Sequence, residues 1–222
     1  MNYQIISVLD PAQVGQILQA LAKLPFVDGK ATASRIAQAV KNNLQADREN
    51  AGITELESQV SRALAANGDF QSFAFPRRMR SPIFGRYEPG MNYGAHVDGS
   101  IMYENGVPLR ADLAVTLFLS EPDSYDGGEL VIQMPSGGEE EIKLAAGEAI
   151  VYPANTVHRV APVTRGTRMV AVTWVQTAVQ DERMRVLLGD LQQALEQAEA
   201  GEDPRLLLSK SYHNLLRITA EF

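Results

Sequence analysis

Three side chains have the types and spacing to hold a metal ion. His96-Val97-Asp98 places an imidazole and a carboxylate two positions apart, just after the stretch Pro89-Gly90-Met91-Asn92-Tyr93-Gly94. In an extended strand, residues i and i+2 project to the same face, so both groups would point into one space. His158 follows a glycine turn, an apolar run and a proline (Gly147 through Tyr152-Pro153), the way a barrel delivers a distal ligand. Two imidazoles and one carboxylate on one face of a metal leave its other positions open. Non-haem iron(II) sites use that arrangement to bind an oxidant and a co-substrate side by side. Read alone, the triplet also fits a surface turn capped by Asp98-Gly99; the His158 segment tips the reading towards a metal. Further on, Arg168 heads the largely apolar run Met169-Val170-Ala171-Val172-Thr173-Trp174-Val175. If it points inward it needs an anionic partner, because a buried unpaired charge is costly and a guanidinium fork suits a carboxylate.

Strands must position these groups. Short runs rich in β-branched and aromatic residues, punctuated by Gly, Pro and Asp, predict strands near Phe70–Phe75, Pro82–Tyr87, Leu113–Leu119, Glu129–Gln133, Glu141–Leu144, Ala149–Tyr152, Val157–Val160 and Arg168–Val175. Asp126-Gly127-Gly128 reads as a turn and Pro135-Ser136-Gly137-Gly138 as a hairpin loop. Strands at this spacing without intervening helices predict a double-stranded β-helix, or jelly roll. The flanks read as helical. Asp10-Pro11 with Gln13 starts one helix, and further helices are expected over Ala31–Gln45 and Thr54–Ala66, the latter stopped by Asn67-Gly68. After Gln176, leucine stripes at 187, 188, 191 and 195 and at 206–208, 215 and 216 mark two more, separated by Gly201-Glu202-Asp203-Pro204. The class is therefore α+β: an N-terminal helical and strand support (1–77), the jelly roll (78–178) and a C-terminal helical region (179–222).

Composition narrows the function. With 20 basic and 27 acidic side chains the net charge is −7, which argues against neutralising nucleic-acid phosphates. The short cluster Arg77-Arg78-Met79-Arg80 reads as a solvated loop or strand edge. The absence of cysteine excludes disulfides, thiolate metal sites and a cysteine nucleophile. No signal peptide is visible, and no apolar run approaches the ~18 residues of a membrane span; the cytoplasm is the expected compartment. His213, on the last amphipathic helix, reads as structural or surface.

The chain resembles the PKHD-type hydroxylases, bacterial relatives of the prolyl hydroxylases within the iron(II)/2-oxoglutarate oxygenases. The resemblance covers essentially the whole chain. It is carried by Phe26–Ala33, Val40–Gln45, Phe118–Leu130, and the run from Tyr152-Pro153 through His158-Arg159-Val160 and Pro162–Arg168 to Trp174-Val175-Gln176. It implies Fe(II) on His96, Asp98 and His158, with Arg168 binding the distal carboxylate of 2-oxoglutarate. Tyr87 either donates to that carboxylate or is a core tyrosine. The implied reaction couples oxidative decarboxylation of 2-oxoglutarate to hydroxylation of an unreactive C–H bond, with O₂ as oxidant and L-ascorbate as auxiliary reductant. One departure stands out: prolyl hydroxylases often carry a tyrosine where Phe118 falls, and Thr116 or Thr173 is the candidate to compensate. The implied substrate is a siderophore-related or other small molecule of bacterial iron uptake; protein prolyl hydroxylation is the alternative.

Other readings fit less well. A cupin presents H-x-H and a glutamate, and leaves Arg168 unexplained. A zinc hydrolase needs a general base beside the metal, and no residue volunteers. A non-catalytic iron or 2-oxoglutarate sensor would keep the same ligands. The C-terminal helices either cover the barrel or form a homo-oligomer interface.

Overall fold

The computed structural model describes residues 3–32, 35–198 and 203–221. From Ile83 onward the chain steps repeatedly between two facing sheets, as a double-stranded β-helix requires. Ile83–Tyr87, Leu113–Phe118, Glu148–Pro153 and Arg168–Thr177 lie in the larger sheet. Asn92–His96, Leu130–Gln133 and His158–Val160, which alternate with them along the chain, lie in the smaller. Each pairing is antiparallel. The fold is the expected jelly roll with flanking helices.

Leu113–Phe118 shows how alternation builds two cores from one strand. Leu113, Val115 and Leu117 face outward and pack with Ile17, Leu56 and Leu64 of the helices Pro11–Leu21 and Ile53–Ala66. Ala114 and Phe118 face inward, among Ile132, Ile150 and Val170. Helices thus seal one face of the larger sheet and leave its other face to the barrel interior.

The N-terminal segment is woven into both sheets. Gln4–Ser7 pairs with Glu148–Pro153, Leu44–Ala46 with Ile83–Tyr87, and Lys41–Asn42 with Asn92–His96. Asp10 caps the first helix as expected: its carboxylate accepts from Gln13 N at 2.8 Å, while Gln13 Oε1 accepts from Asp10 N at 2.9 Å.

Two expected elements are corrected. The helix over Ala31–Gln45 is reduced to a 3-10 turn (Gly29–Thr32) and one α turn (Arg35–Gln38), followed by the strands Lys41–Asn42 and Leu44–Ala46. Open sheet edges capture this stretch, and tertiary pairing overrides its local propensity. Phe70–Phe75 is not a strand but belongs to the helix Gly68–Ala74. Asn67, expected as a stop, ends one helix and caps the next by accepting from Phe70 N at 2.8 Å, and Phe70 and Ala74 bury themselves one turn apart. Glu141–Leu144 slips to Glu139–Ile142. The hairpin Ile101–Glu104/Val107–Arg110 was not expected, although Asn105-Gly106, with φ of 51° and 76°, supplies the two left-handed residues such a turn needs.

At the C-terminus, Glu182–Gln197 packs on Gly68–Ala74, and Asp203–Thr219 packs on Glu182–Gln197. Leu188 is buried, whereas Leu206 and Leu207 are largely exposed. Of the separator between these helices, Gly201 and Glu202 lie outside the described residues, and the last helix spans Asp203–Thr219. None of the described helices is long and apolar enough to cross a membrane.

Candidate metal and co-substrate site

The two sheets enclose a cavity of about 490 Å³, and His96, Asp98, His158, Arg168 and Tyr87 all line it. The histidines are cross-strand partners, His158 opposite His96. Val160 then pairs with Tyr93, so three steps on one strand answer two on the other. This bulge turns Tyr93 and His96 to the same side, and their rings stack at 3.6 Å. Gly94 lies inside the bulge, where a Cβ would come 2.7 Å from Val40 Cβ, too close without a shift of the backbone.

Each imidazole is oriented by a carbonyl two residues before it. His96 Nδ1 donates to Gly94 O at 2.8 Å, and His158 Nδ1 to Thr156 O at 3.0 Å. A carbonyl can only accept, so both Nδ1 atoms carry the proton and both Nε2 lone pairs face the cavity. Asp98 Oδ1 stands 3.9 Å from each Nε2. The three donors lie within 4.8 Å of one another, a spacing one metal ion can bridge. Burial, then the neighbouring His158, lowers His96 to about 4. This favours the neutral ring that a metal needs.

The strand argument accounts for only part of this geometry, because the strand ends at His96 and Asp98 sits in the loop beyond. Its carboxylate is aimed instead by the indole of Trp174, which donates to Oδ2 at 2.8 Å. In the sequence Trp174 is only one residue of the motif that ends at Gln176. Its role depends on a contact that no local pattern reveals.

Arg168 is 1% exposed, and its Nε has no hydrogen-bond partner. The guanidinium lies over Tyr87 and Phe118, 5.1 and 5.2 Å from the ring centroids. Phe118 thus offers its π face where a tyrosine would offer a hydroxyl. Of the two threonines, Thr173 donates to Arg80 O, whereas Thr116 lies within hydrogen-bonding reach of Tyr152. Tyr152, missed in the sequence, feels the charges of both Asp98 and Arg168. Burial raises the Tyr152 and Tyr87 hydroxyls above the usual tyrosine range, so both are protonated and able to donate at neutral pH.

Two further cations line the cavity. Arg80 is not the solvated residue expected of its cluster: it lies over Trp174 at 5.5 Å, with Glu104 3.6 Å from its Nε. Lys41, placed on a helix by the sequence pattern, is a buried strand residue above the Tyr93 ring. Desolvation lowers it to about 8. His213 is exposed on the last helix and takes no part in the cavity.

A family model described as the 2OG-Fe(II) oxygenase superfamily matches residues 83–176. The chain is 44% identical over 227 residues to a PKHD-type hydroxylase of Burkholderia ambifaria, covering 100% of both chains. It is 45% identical over 224 residues to one of Gloeothece citriformis, again over 100% of both. Among solved structures, a Pseudomonas putida prolyl-4-hydroxylase aligns with a TM-score of 0.53 at 17% identity, over 79% of this chain and 92% of that one. A Trichoplax adhaerens prolyl hydroxylase, solved with a hypoxia inducible factor peptide, aligns at 0.56 and 17%, over 83% and 86%. The last two establish the shared fold alone. End-to-end identity at this level makes the chain a member of the PKHD-type hydroxylases, enzymes of the 2-oxoglutarate- and iron(II)-dependent oxygenase superfamily.

Proposed function

We propose that this enzyme binds Fe(II) through His96 Nε2, His158 Nε2 and Asp98 Oδ1, anchors 2-oxoglutarate by its distal carboxylate on Arg168, and hydroxylates a small organic substrate. The observation that carries the reading is the pairing, in one cavity, of a two-histidine, one-carboxylate donor set with a buried arginine whose Nε lacks a partner. The donor set suits Fe(II), with one anionic oxygen and two neutral nitrogens. When bound, iron and 2-oxoglutarate would activate O₂, one oxygen atom entering an unactivated C–H bond of the substrate and the other entering succinate as 2-oxoglutarate loses CO₂.

The protein's own contribution is positional. Gly94 O and Thr156 O hold the imidazole protons on Nδ1, and Trp174 holds one oxygen of Asp98 so that the other is presented. Phe118 and Tyr87 sandwich the guanidinium, and Tyr87 is proposed to donate its hydroxyl to the same carboxylate. Ascorbate as auxiliary reductant rests on the family resemblance.

A small substrate, siderophore-related or otherwise, rests on the family resemblance, and a cavity of about 490 Å³ is in the range of small-molecule sites. Incubating cell extract with enzyme, Fe(II), 2-oxoglutarate and isotopically labelled O₂, then searching for labelled products by mass spectrometry, tests this. A labelled small molecule is expected; label confined to protein proline would establish the alternative. His96→Ala, Asp98→Ala and His158→Ala should each abolish 2-oxoglutarate consumption, and His213→Ala should not. Undiminished consumption in Asp98→Ala would overturn the ligand assignment.

A further inference from the structure

Histidines and tyrosines aside, the acidic and basic side chains that line the cavity are Lys41, Arg80, Asp98 and Arg168. On the functional reading above, the charges of iron(II), Asp98, 2-oxoglutarate and Arg168 cancel. Arg80 is answered outside the cavity by Glu104, beside which Arg48 and Glu57 form a second pair at 2.9 Å. Lys41 remains. Its residue is 6% exposed, yet no carboxylate among the described residues comes within 4.0 Å of its ammonium. Asp98 and Asp28 act on it only at longer range. One donor goes to Thr32 Oγ1 at 3.1 Å, and that hydroxyl in turn donates to Gln45 Oε1 at 2.7 Å. An ammonium has three donors, so two have no partner among the described residues.

Lysine is almost never buried without a counter-ion, because desolvating its charge costs several kcal/mol. Here the cost is built in by the fold. Gly94 N donates to Val40 O at 2.8 Å, and the missing Cβ at Gly94 lets Val40 close in, which fixes Lys41 opposite Tyr93. Tyr93 stacks on His96, so the ammonium sits near the proposed metal site, over a different ring from those that hold Arg168. Exposed apolar groups line the same cavity: Val97, Ile101 and Tyr103 are 45%, 51% and 63% exposed. We propose that Lys41 anchors an oxyanion, a carboxylate in the first instance, on the small molecule that is hydroxylated, whose apolar body lies against Val97, Ile101 and Tyr103. This proposal rests on the iron and 2-oxoglutarate reading for its charge balance.

The chain's single tryptophan, Trp174, lines the same cavity and reports binding by its fluorescence. Full-length protein loaded with Mn(II) and 2-oxoglutarate, which does not turn over, is titrated with phenylacetate, hexanoate and N-acetylleucine, each against its primary amide. At least one carboxylate should bind about 30-fold or more tightly than its amide, the smallest effect expected when a desolvated charge pair loses a partner. Lys41→Met should erase that preference and Lys41→Arg should keep most of it. Separately, the charge-transfer band of the anaerobic Fe(II)–2-oxoglutarate complex should titrate in Lys41→Met as in wild type. No carboxylate preference in wild type, or a preference that survives Lys41→Met, overturns the proposal. A loss of 2-oxoglutarate or metal affinity in Lys41→Met overturns it too, because Lys41 would then serve the co-substrate or balance Asp98. Absence of the band in wild type would instead refute the underlying reading of the site.

Discussion

Trp174 donates its indole N–H to Asp98 Oδ2 at 2.8 Å across 76 positions of chain. The other carboxylate oxygen, Oδ1, is thereby left equidistant, at 3.9 Å, from the Nε2 atoms of His96 and His158. Trp174→Phe keeps an aromatic body over Arg80 but removes the donor. Partners that orient metal ligands are typically worth about 10- to 100-fold in metal affinity. Titration of Mn(II) into the variant should show a loss in that range with the fold intact by circular dichroism. Wild-type affinity would mean that the indole merely fills space.

Arg168→Ala should remove one partner of a desolvated charge pair, a change that typically costs ~2–5 kcal/mol, or about 30-fold upward in affinity. The loss should fall on 2-oxoglutarate, read from the charge-transfer band, with metal affinity nearly unchanged. Arg168→Lys should recover only part, since a point charge does not replace a bidentate fork. Arg165 is the matched control: it is more than half exposed and bonds Asp126 at 2.6 Å. A larger loss in Arg165→Ala would show that the wrong arginine was chosen.

Gly128 holds φ +69°, and a Cβ there would meet Val163 Cγ2 at 2.9 Å and Arg168 Cδ at 3.0 Å. Gly128→Ala should therefore destabilise the protein by about 1–3 kcal/mol, the usual cost of overpacking a core. Because the intruding methyl presses on Arg168, 2-oxoglutarate should also bind more weakly. Urea denaturation and the band titration measure the two effects. An unchanged midpoint would mean that this turn relaxes freely.

The metal-free protein should lose stability as pH falls from 6.5 towards 4. His96 is lowered to about 4 in the fold from an ordinary 6.5, so the unfolded chain takes up this proton at higher pH. Stability then rises with pH across that window and falls on acidification. At ~1.4 kcal/mol per unit, the contribution of this ring is no more than about 3 kcal/mol. Urea midpoints of His96→Gln should decline less steeply than those of wild type between these two values. Parallel slopes would refute the assignment.

The residues of the proposed site were legible because they sit on or beside short strands whose own sequence betrays them. His96-x-Asp98, the apolar run before His158, and the lone arginine heading a valine-rich strand are local patterns, and the physical costs behind them act locally. The helix cap at Asp10 was readable for the same reason. What only the tertiary structure decided are contacts between distant segments. Lys41–Asn42 and Leu44–Ala46 became strands because two sheet edges were open to them, not because their residues prefer it. The aromatic run near Phe70 looked extended but coiled into a helix once Asn67 capped it and the larger sheet's outer face offered apolar cover. Trp174 reached Asp98, and Lys41 was buried with no carboxylate among the described residues within 4.0 Å, through register and a bulge at Gly94. Sequence pattern records which face of an element is apolar; which polar atoms meet across a barrel depends on how its strands close, and that is a property of the packed whole.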